Sequence, residues 1–448
     1  MGTRRSWLVV IAGLAVVAAA CGTSATSSPP AQSSSPGATP AATTAEVVNL
    51  VLRYCWSGEG EVAAMESIIQ DWNAAHPEIQ VRGISGSIKN EQIAAAVAGG
   101  APPDMVIQCN NEPVPAFAKD GVILPLDDML TKIAADTSDI IPASLDWVKY
   151  QDKLYGLPFL QDTWGLLWNT DAFTEVGLDP AKPPTTLDEL WDYAKKLTKY
   201  NADGSIARAG FIPYYNGKNI NEMNELFGCK YYDEASKKIT VDSPECVAFF
   251  EWYKKWWDEY NKDGKVTDLI ASKGSEDEDL FYTGKVAMYL GGEWVPGAAY
   301  APNFAPDLKY DSAAFPASDP SVTGAGFING NAFFIPKGSK DPEAATKFGM
   351  YLMTPDPSRK MAIQNASVPQ LKSLTTDPQL TAVPHFQSFL EIANHPKTWT
   401  NPMIAQWGLL KDGLSEAWDS VMTGGVPAQQ ALGDLTTRLQ ADLDANGP

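Results

Sequence analysis

Basic and metal-binding side chains are scarce in this chain of 448 residues. It has 34 lysines and arginines against 54 aspartates and glutamates, which gives a formal net charge of −20. No arginine cluster is present that would bind a nucleic-acid backbone or an anionic ligand. The three histidines, His76, His385 and His395, are scattered, and their spacing fits no zinc site. We therefore expect no nucleic-acid partner, no metal and no cofactor.

The sequence also lacks the short motifs of common enzyme classes. It contains no G-x-S-x-G nucleophile turn, no P-loop and no G-x-G-x-x-G fingerprint. One enzymatic alternative stays open, because Asp162 and Glu293 both fall at predicted strand ends and could be the carboxylate pair of an exported glycoside hydrolase. We favour hydrogen bonding to ligand hydroxyl groups as their role, and we expect no catalytic residues.

Residues 1–20 have the pattern of an export signal. Arg4 and Arg5 precede an apolar stretch, residues 7–20, that is too short to span a bilayer. Small residues and Cys21 follow, which resembles a bacterial lipobox with an acylated cysteine; an ordinary cleavage site beside a chance cysteine is the alternative. Residues 21–45 have the composition of a disordered linker. We expect an extracytoplasmic protein, anchored to the outer face of the cell membrane by a lipid on Cys21.

Four cysteines remain after Cys21, and an even number in an exported chain favours two disulfides. Three connectivities are possible. We favour Cys55–Cys109, because these residues end two strands predicted to lie side by side, and Cys229–Cys246, because that pair closes a short local loop. The alternative of free buried thiols does not suit an oxidising compartment.

Apolar periodicity predicts alternating strands and helices in the first part of the chain. Strands are predicted at 47–54, 79–81 and 105–108, with helices between them. This order predicts a parallel sheet covered by helices, and the length of the chain predicts two domains. Ligands bind beyond the carboxyl ends of such strands, so the loops at Trp56 and Asn110 are expected at a binding edge.

Tryptophans follow several predicted strands, beside side chains that donate or accept hydrogen bonds. A sugar ring has an apolar CH face and a rim of hydroxyl groups, so it needs a flat apolar surface together with paired donors and acceptors. For any one of the 14 tryptophans, core packing is the alternative. The candidate ligand-binding residues from this pattern are Trp56, Glu59, Asn110, Asn111, Glu112, Asp162, Trp164, Tyr214, Glu293 and Trp294.

Six segments in order carry a resemblance to a known family. They are WNAAHPEI at 72–79, PDMV at 103–106, DKLYGLP at 152–158, LLWNTDAF at 166–173, PTTLDEL at 184–190, and the F-x-x-G-K-x-A-M-x-x-x-G-x-W pattern at 281–294. Together they resemble the family 1 extracellular solute-binding proteins of ABC importers, the carbohydrate-binding group that includes the maltose-binding protein. The resemblance covers roughly residues 46–445.

The resemblance implies an α/β, two-lobed fold like that of the periplasmic binding proteins, with parallel-sheet lobes joined by crossing segments and the ligand in the cleft between them. It implies that Asp162 lies at the first crossing and that Trp294 stacks on the ligand. A late aromatic residue of the family is matched by Trp399 or Trp407. The chain departs from the family at Cys55, where a disulfide would stiffen one lobe.

The expected lobes are residues 46–161 with 326–372, and residues 162–325 with 373–448. We expect them to close on the ligand about crossings near 161–165 and 318–327. The resemblance implies a monomeric substrate-binding lipoprotein of a sugar importer, which captures a mono- or oligosaccharide and delivers it to ABC permease subunits. The alternatives are a binding protein for a polyamine or a glycerol phosphodiester, a surface adhesin, and the hydrolase considered above.

Overall fold

The computed structural model describes residues 46–448 apart from residues 216, 276–277 and 299. The predicted signal peptide 1–20, the predicted lipidation at Cys21 and the predicted linker 21–45 lie outside the described residues. Residues 46–448 form one compact unit. Within the described part of that unit, no helix has both the length and the apolar character needed to cross a membrane.

The described residues form thirteen β-strands. The strands are β1 (Val48–Tyr54), β2 (Ile79–Ser85), β3 (Met105–Gln108), β4 (Lys149–Tyr150), β5 (Lys153–Leu154), β6 (Leu157–Asn169), β7 (Lys199–Tyr200), β8 (Ile206–Phe211), β9 (Tyr232–Asp233), β10 (Lys238–Ile239), β11 (Val286–Gly292), β12 (Tyr310–Ala313) and β13 (Ile328–Phe334).

The same residues form seventeen α-helices. The helices are α1 (Glu59–Ala75), α2 (Asn90–Ala98), α3 (Val114–Lys119), α4 (Asp127–Lys132), α5 (Pro142–Asp146), α6 (Thr170–Glu175), α7 (Leu187–Leu197), α8 (Ile220–Met223), α9 (Pro244–Tyr260), α10 (Lys265–Ala271), α11 (Ala301–Phe304), α12 (Pro342–Leu352), α13 (Pro355–Asn365), α14 (Pro378–Thr381), α15 (Gln387–Ala393), α16 (Trp407–Met422) and α17 (Ala428–Asn446).

The first part of the chain has the predicted alternation β1–α1–β2–α2–β3. β1 pairs in parallel with β2 along its whole length and with β3 over its last three residues. Helix α1 buries Met65, Ile68, Ile69 and Trp72, the apolar residues whose spacing predicted a helix. Such a helix can cover one face of the sheet because parallel strands require a crossover connection.

One sheet of nine strands runs through the molecule in the order β2-β1-β3-β13-β6-β11-β8-β7, with β12 also paired to β6. Residues 157–163 of β6 pair with β13, and residues 164–168 pair with β11. We call β2, β1, β3, β13 and the first part of β6 the first half of the sheet. The second half is the rest of β6 with β11, β8, β7 and β12.

The crossing between the two halves is a continuous strand rather than a loop between two strands. β6 has 13 residues, which corresponds to a length of about 40 Å. Residues 161–165, expected as a crossing segment, are extended and paired on both sides of the junction. β13 approaches β6 closely at Gly330, where an added Cβ atom would lie 2.1 Å from the carbonyl oxygen of Leu160.

Both favoured disulfides are confirmed. Cys55–Cys109 joins the loops that follow β1 and β3, with 5.6 Å between the two Cα atoms. Cys229–Cys246 closes the loop that contains β9 and β10, with 4.5 Å between the Cα atoms. The first therefore acts at the edge of the sheet, and the second acts within the helical layer of the second half, because Cys246 lies in α9.

Candidate ligand site

A cavity of about 270 Å³ opens where the loops after β1 and β3 meet the loop after β11. These loops follow the carboxyl ends of strands that belong to parallel pairs, where the topology predicted a binding edge. The cavity therefore draws its walls from both halves of the sheet. The lining residues are Cys55, Trp56, Ser57, Glu61, Cys109, Asp162, Glu293, Trp294, Tyr300, Asn331, Asn365 and Ser367.

Tryptophans from both halves of the sheet line this cavity. Trp56 is 7% exposed, and its ring packs edge-on against Phe159 with 5.9 Å between centroids. Trp294 is half-buried and lies perpendicular to Trp164 at 5.6 Å and 88°. Trp164 does not itself line the cavity, and its ring also contacts Phe327 at 5.4 Å. The cavity thus has flat apolar surface on the side of each half.

Asp162 and Glu293 form a hydrogen-bonded carboxyl pair in the cavity wall. Glu293 is buried; its Oε2 accepts a hydrogen bond from the backbone N–H of Thr163 at 2.8 Å, and its Oε1 receives no N–H or O–H donor. Burial raises the pKa of Asp162 to about 7, although its bond with Glu293 opposes this shift. Burial and the nearby Asp162 raise the pKa of Glu293 well above its ordinary value. Both shifts favour the protonated form of the pair, so that one carboxyl group can donate to the other.

Two amide side chains complete the polar surface of the cavity. Asn331 on β13 is 4% exposed, and Asn365 at the end of α13 has a buried Oδ1 without a protein partner. Neither residue was predicted, because the strands and helices expected from the sequence reach neither position 331 nor position 365. The polar residues Asn329 and Asn331, two positions apart and just before the apolar Phe333 and Phe334, were the available signal for Asn331.

Glu59 and Glu61 occupy different positions in the first turn of α1. Glu59 is exposed and does not line the cavity. Glu61 does line it, and its Oε2 accepts a hydrogen bond from the backbone N–H of Gly58 at 3.0 Å. Glu61, and not the predicted Glu59, is therefore the glutamate of α1 that lines the cavity.

The loop after β3 contacts the segment around the start of α16. Asn111 is buried; its Nδ2 donates to the carbonyl oxygen of Trp147 at 2.9 Å and lies 3.7 Å from the sulfur of Met403. The carboxylate of Glu112 pairs with the amine of Lys411 at 2.8 Å. Asn110 is half-buried. These three residues flank the cavity loop at Cys109 but do not line the cavity.

Three other predicted residues lie in the packed interior. Tyr214 contacts the rings of Trp257 and Trp418, and burial raises the pKa of Tyr214. Trp399 donates from Nε1 to the Oδ1 of Asn224 at 3.2 Å, and its backbone bridges to Phe327. Trp407, the first residue of α16, is 3% exposed. None of the three lines the cavity, and their contact with a ligand stays a prediction.

A larger cavity of about 860 Å³ lies between the β4–β5 and β9–β10 hairpins. None of the predicted ligand-binding residues lines it. Some of its charged lining residues form ion pairs with each other: Lys149 pairs with Asp146, and Lys237 pairs with Glu234. Among the residues that the structure describes, no group of three or more His, Cys, Asp or Glu side chains could hold a metal ion. We therefore assign the candidate site to the smaller cavity, where the tryptophans and the carboxyl pair meet.

A two-part α/β sheet with a cavity walled by loops from both parts defines the class of two-lobed solute-binding proteins. Residues 67–388 match the family described as bacterial extracellular solute-binding protein, and the chain belongs to that family. This confirms the resemblance found in the sequence motifs and the two-lobed fold that it implied.

Individual relatives agree with this assignment. The maltotriose-binding protein of Pyrococcus abyssi is 21% identical over 81% of this chain and 75% of its own length. The diacetylchitobiose binding protein DasA of Streptomyces coelicolor is 24% identical over 78% of this chain and 80% of its own length. The structure of CpMnBP1 with mannotriose bound superposes with a TM-score of 0.74 and 28% identity, and covers 87% of this chain and 99% of that chain.

Proposed function

We propose that this protein is the substrate-binding component of an ABC sugar importer and captures a mono- or oligosaccharide in the cavity between Trp56 and Trp294. The ligand-bound form then delivers the sugar to membrane permease subunits. The observation that carries this proposal is the meeting of aromatic side chains from both halves of the sheet with the Asp162–Glu293 carboxyl pair.

The chemistry of the cavity matches the two kinds of surface on a sugar. Indole rings present flat apolar area to the CH face, as Trp56 and Trp294 do here. Each hydroxyl group both donates and accepts, and the protonated Glu293 beside Asp162 supplies a donor and an acceptor in one place. The amides of Asn331 and Asn365 add further groups of both kinds.

The charges around the cavity favour a neutral ligand over an anion. Its described lining contains Glu61, Asp162 and Glu293 but no lysine, arginine or histidine. A phosphate group binds best to arginine forks or lysine amines, so a glycerol phosphodiester fits this surface poorly. The volume of about 270 Å³ is near the lower end for ligand pockets, which favours a short saccharide in this conformation.

We further propose that the lobes are residues 46–161 with 326–372, and residues 162–325 with 373–448. β6 then crosses between the lobes at residues 161–162, and the chain returns to the first lobe at residues 325–326, just before β13. Small backbone changes at these crossings would open or close the cavity. Because Trp56 and Trp294 come from different lobes, a ligand contacts both only in the closed state. Binding therefore shifts the population toward that state.

Calorimetric titration tests the binding proposal. The ligands are mannotriose, maltotriose and diacetylchitobiose, with spermidine and glycerophosphocholine as the non-sugar comparison. We expect at least one sugar to bind, and Trp294→Ala to weaken its affinity by about tenfold or more, because a stacking contact is lost. Trp191→Ala is the matched control, since Trp191 on α7 lies outside the cavity. Binding of the amine or the phosphodiester alone would contradict the proposal.

The proposal includes binding without catalysis. Retaining glycosidases place their two carboxyl groups about 5–5.5 Å apart and inverting enzymes still further. Asp162 and Glu293 interact directly with each other, whereas a glycosidase needs its two carboxyl groups to flank the scissile bond, so the pair does not suit either arrangement. Incubating the protein with the same oligosaccharides and separating the products checks this; cleavage that Glu293→Gln abolishes would establish the hydrolase instead.

We also propose that a lipid on Cys21 tethers a monomer to the outer face of the membrane. The order of apolar stretch, small residues, cysteine and polar linker supports this anchor. The Cys21→Ala variant is expected in the culture medium instead of the membrane fraction. Equal retention of the variant and the wild type in membranes would refute the anchor, and size-exclusion chromatography with light scattering measures the oligomeric state.

A further inference from the structure

We propose that the Cys55–Cys109 disulfide is an affinity-determining part of the ligand site, which holds Trp56 and the clamp loop, residues 110–112, as one unit. Cleaving this bond then weakens sugar binding, whereas cleaving Cys229–Cys246 does not. The affinity part of this inference rests on the function proposed above. The structural part, which concerns the order of the two loops, holds independently of any ligand.

The disulfide acts on the loops of the site rather than on the sheet. β1 and β3 are already paired from Leu52 to Tyr54, opposite Met105 to Ile107. The disulfide lies just beyond the last pair, and both of its residues line the cavity beside Trp56. It therefore fixes the position of the loops where strand pairing has ended.

The β1 side of the disulfide has additional support of its own. The backbone N–H of Gly86 donates to the carbonyl oxygen of Trp56 at 3.0 Å, and the hydroxyl of Ser87 donates to that of Cys55 at 3.3 Å. The ring of Trp56 packs on Phe159. These contacts connect the Trp56 loop to the first half of the sheet, and the disulfide joins the clamp loop to the Trp56 loop, so that the two loops order each other.

The clamp loop reaches the other half of the molecule. Asn111 contacts Met403, and Glu112 pairs with Lys411 on α16. Helix α16 packs against α9, whose Trp256 contacts Phe211 of β8 at 5.3 Å. A covalent and polar connection thus runs from Trp56 in the cavity, through the disulfide and the clamp loop, to the layer that covers the second half of the sheet.

The two disulfides also differ in their accessibility to a reductant. Cys109 is an exposed residue, whereas Cys229 and Cys246 are both 0% exposed. A dithiol reductant attacks a sulfur as its thiolate, breaks the S–S bond through a mixed disulfide, and is itself oxidised while the protein gains two thiols. Access favours the cavity disulfide in this reaction, so limited reduction of the wild type opens Cys55–Cys109 first.

The affinity experiment compares Cys55→Ala/Cys109→Ala with the matched control Cys229→Ala/Cys246→Ala. Each variant loses one disulfide, so both are destabilised, and the longer separation of Cys55 from Cys109 predicts the larger loss. We expect the first to bind sugar at least tenfold more weakly while melting cooperatively, and the control to stay within twofold of the wild type. An affinity within twofold in the first variant, or an equal loss in both, overturns the inference.

A second measurement needs neither a ligand nor a folded variant. Wild type is treated briefly with dithiothreitol, mass spectrometry identifies the opened disulfide, and hydrogen exchange is followed in the ligand-free protein. We expect faster exchange at 56–58 and 109–112, unchanged exchange in α9, and reversal on reoxidation. If no sugar in the panel binds wild type, the proposed function fails, while this exchange result still decides the structural inference: unchanged exchange at both loops overturns it.

Discussion

The carboxyl group of Glu293 is paired with that of Asp162, and the Oε2 of Glu293 accepts from the backbone N–H of Thr163 at 2.8 Å. The pair links the end of β11 to the strand that crosses between the two halves of the sheet. Because Glu293 is buried and Asp162 is only partly exposed, the protonated form of the pair is favoured in the folded state. The protonation state of the Asp162–Glu293 pair therefore affects both the stability of the folded protein at the β6 crossing and the polarity of the cavity.

The first prediction concerns the stability of the protein against pH. Since the folded-state pKa of Asp162 is raised to about 7, the folded protein binds more protons than the unfolded chain between about pH 4 and pH 7. Wild type should therefore lose stability relative to Asp162→Asn as the pH rises through this window. Thermal melts of both proteins at half-unit steps from about pH 4 to pH 8 measure the difference, and a constant offset would contradict the prediction.

The second prediction separates the proton of Glu293 from its shape. Glu293→Gln keeps an oxygen that accepts from Thr163 and an N–H group that can donate to Asp162, so we expect stability within about 1 kcal/mol of wild type at pH 6. Glu293→Ala leaves the Thr163 N–H buried without an acceptor and should cost about 2–4 kcal/mol. Urea titrations measure both values. Equal losses for the two variants would show that the hydrogen bonds of Glu293 do not matter.

The third prediction tests the close approach of β13 to β6. An alanine Cβ atom at position 330 would lie 2.1 Å from the carbonyl oxygen of Leu160, so Gly330→Ala must displace backbone and should cost about 3 kcal/mol. Gly433→Ala is the control, since nothing lies within 4 Å of its Cβ position in α17. That change should stabilise the protein by about 0.5–1 kcal/mol. Melting temperatures that shift in the same direction for both variants would argue against the packing at Gly330.

The fourth prediction gives the contribution of the buried disulfide to stability. Cys229 and Cys246 are separated by 17 positions, and closing a loop of this size restricts the unfolded chain by about 3 kcal/mol. Cys229→Ala/Cys246→Ala should lose roughly this amount in guanidinium titrations. A loss below about 1 kcal/mol would contradict this prediction. It would mean that the unfolded chain of the variant keeps this loop ordered without the disulfide.

The alternation of strands and helices over residues 47–108 and the two disulfides could be predicted from local features. The periodicity of 47–108 predicts strands and helices because helical and extended chains repeat on different periods. The pairing of Cys55 with Cys109 follows, since the two neighbouring parallel strands both end at the same edge. Four predicted site residues, Trp56, Asp162, Glu293 and Trp294, line the cavity because each lies within or directly beyond a strand.

Contacts between distant segments explain what the sequence did not predict. Asn331 and Asn365 reach the cavity only because β13 lies antiparallel between β3 and β6, a register that local periodicity does not contain. Tyr214 and Trp399 resemble cavity residues in their sequence context, yet aromatic packing and a hydrogen bond hold them in the interior. An aromatic ring gains similar free energy against a sugar or a hydrophobic core, so its neighbours decide which it contacts.

The sequence by itself determined the class of this protein, because strand order, cysteine spacing and family motifs all depend on residues that are close in the chain. Only the tertiary structure decided that β6 is one continuous crossing and that Glu293 meets Asp162. The physical reason is that sheet register and side-chain burial arise from segments separated by more than a hundred residues, and no local pattern encodes their distance in space.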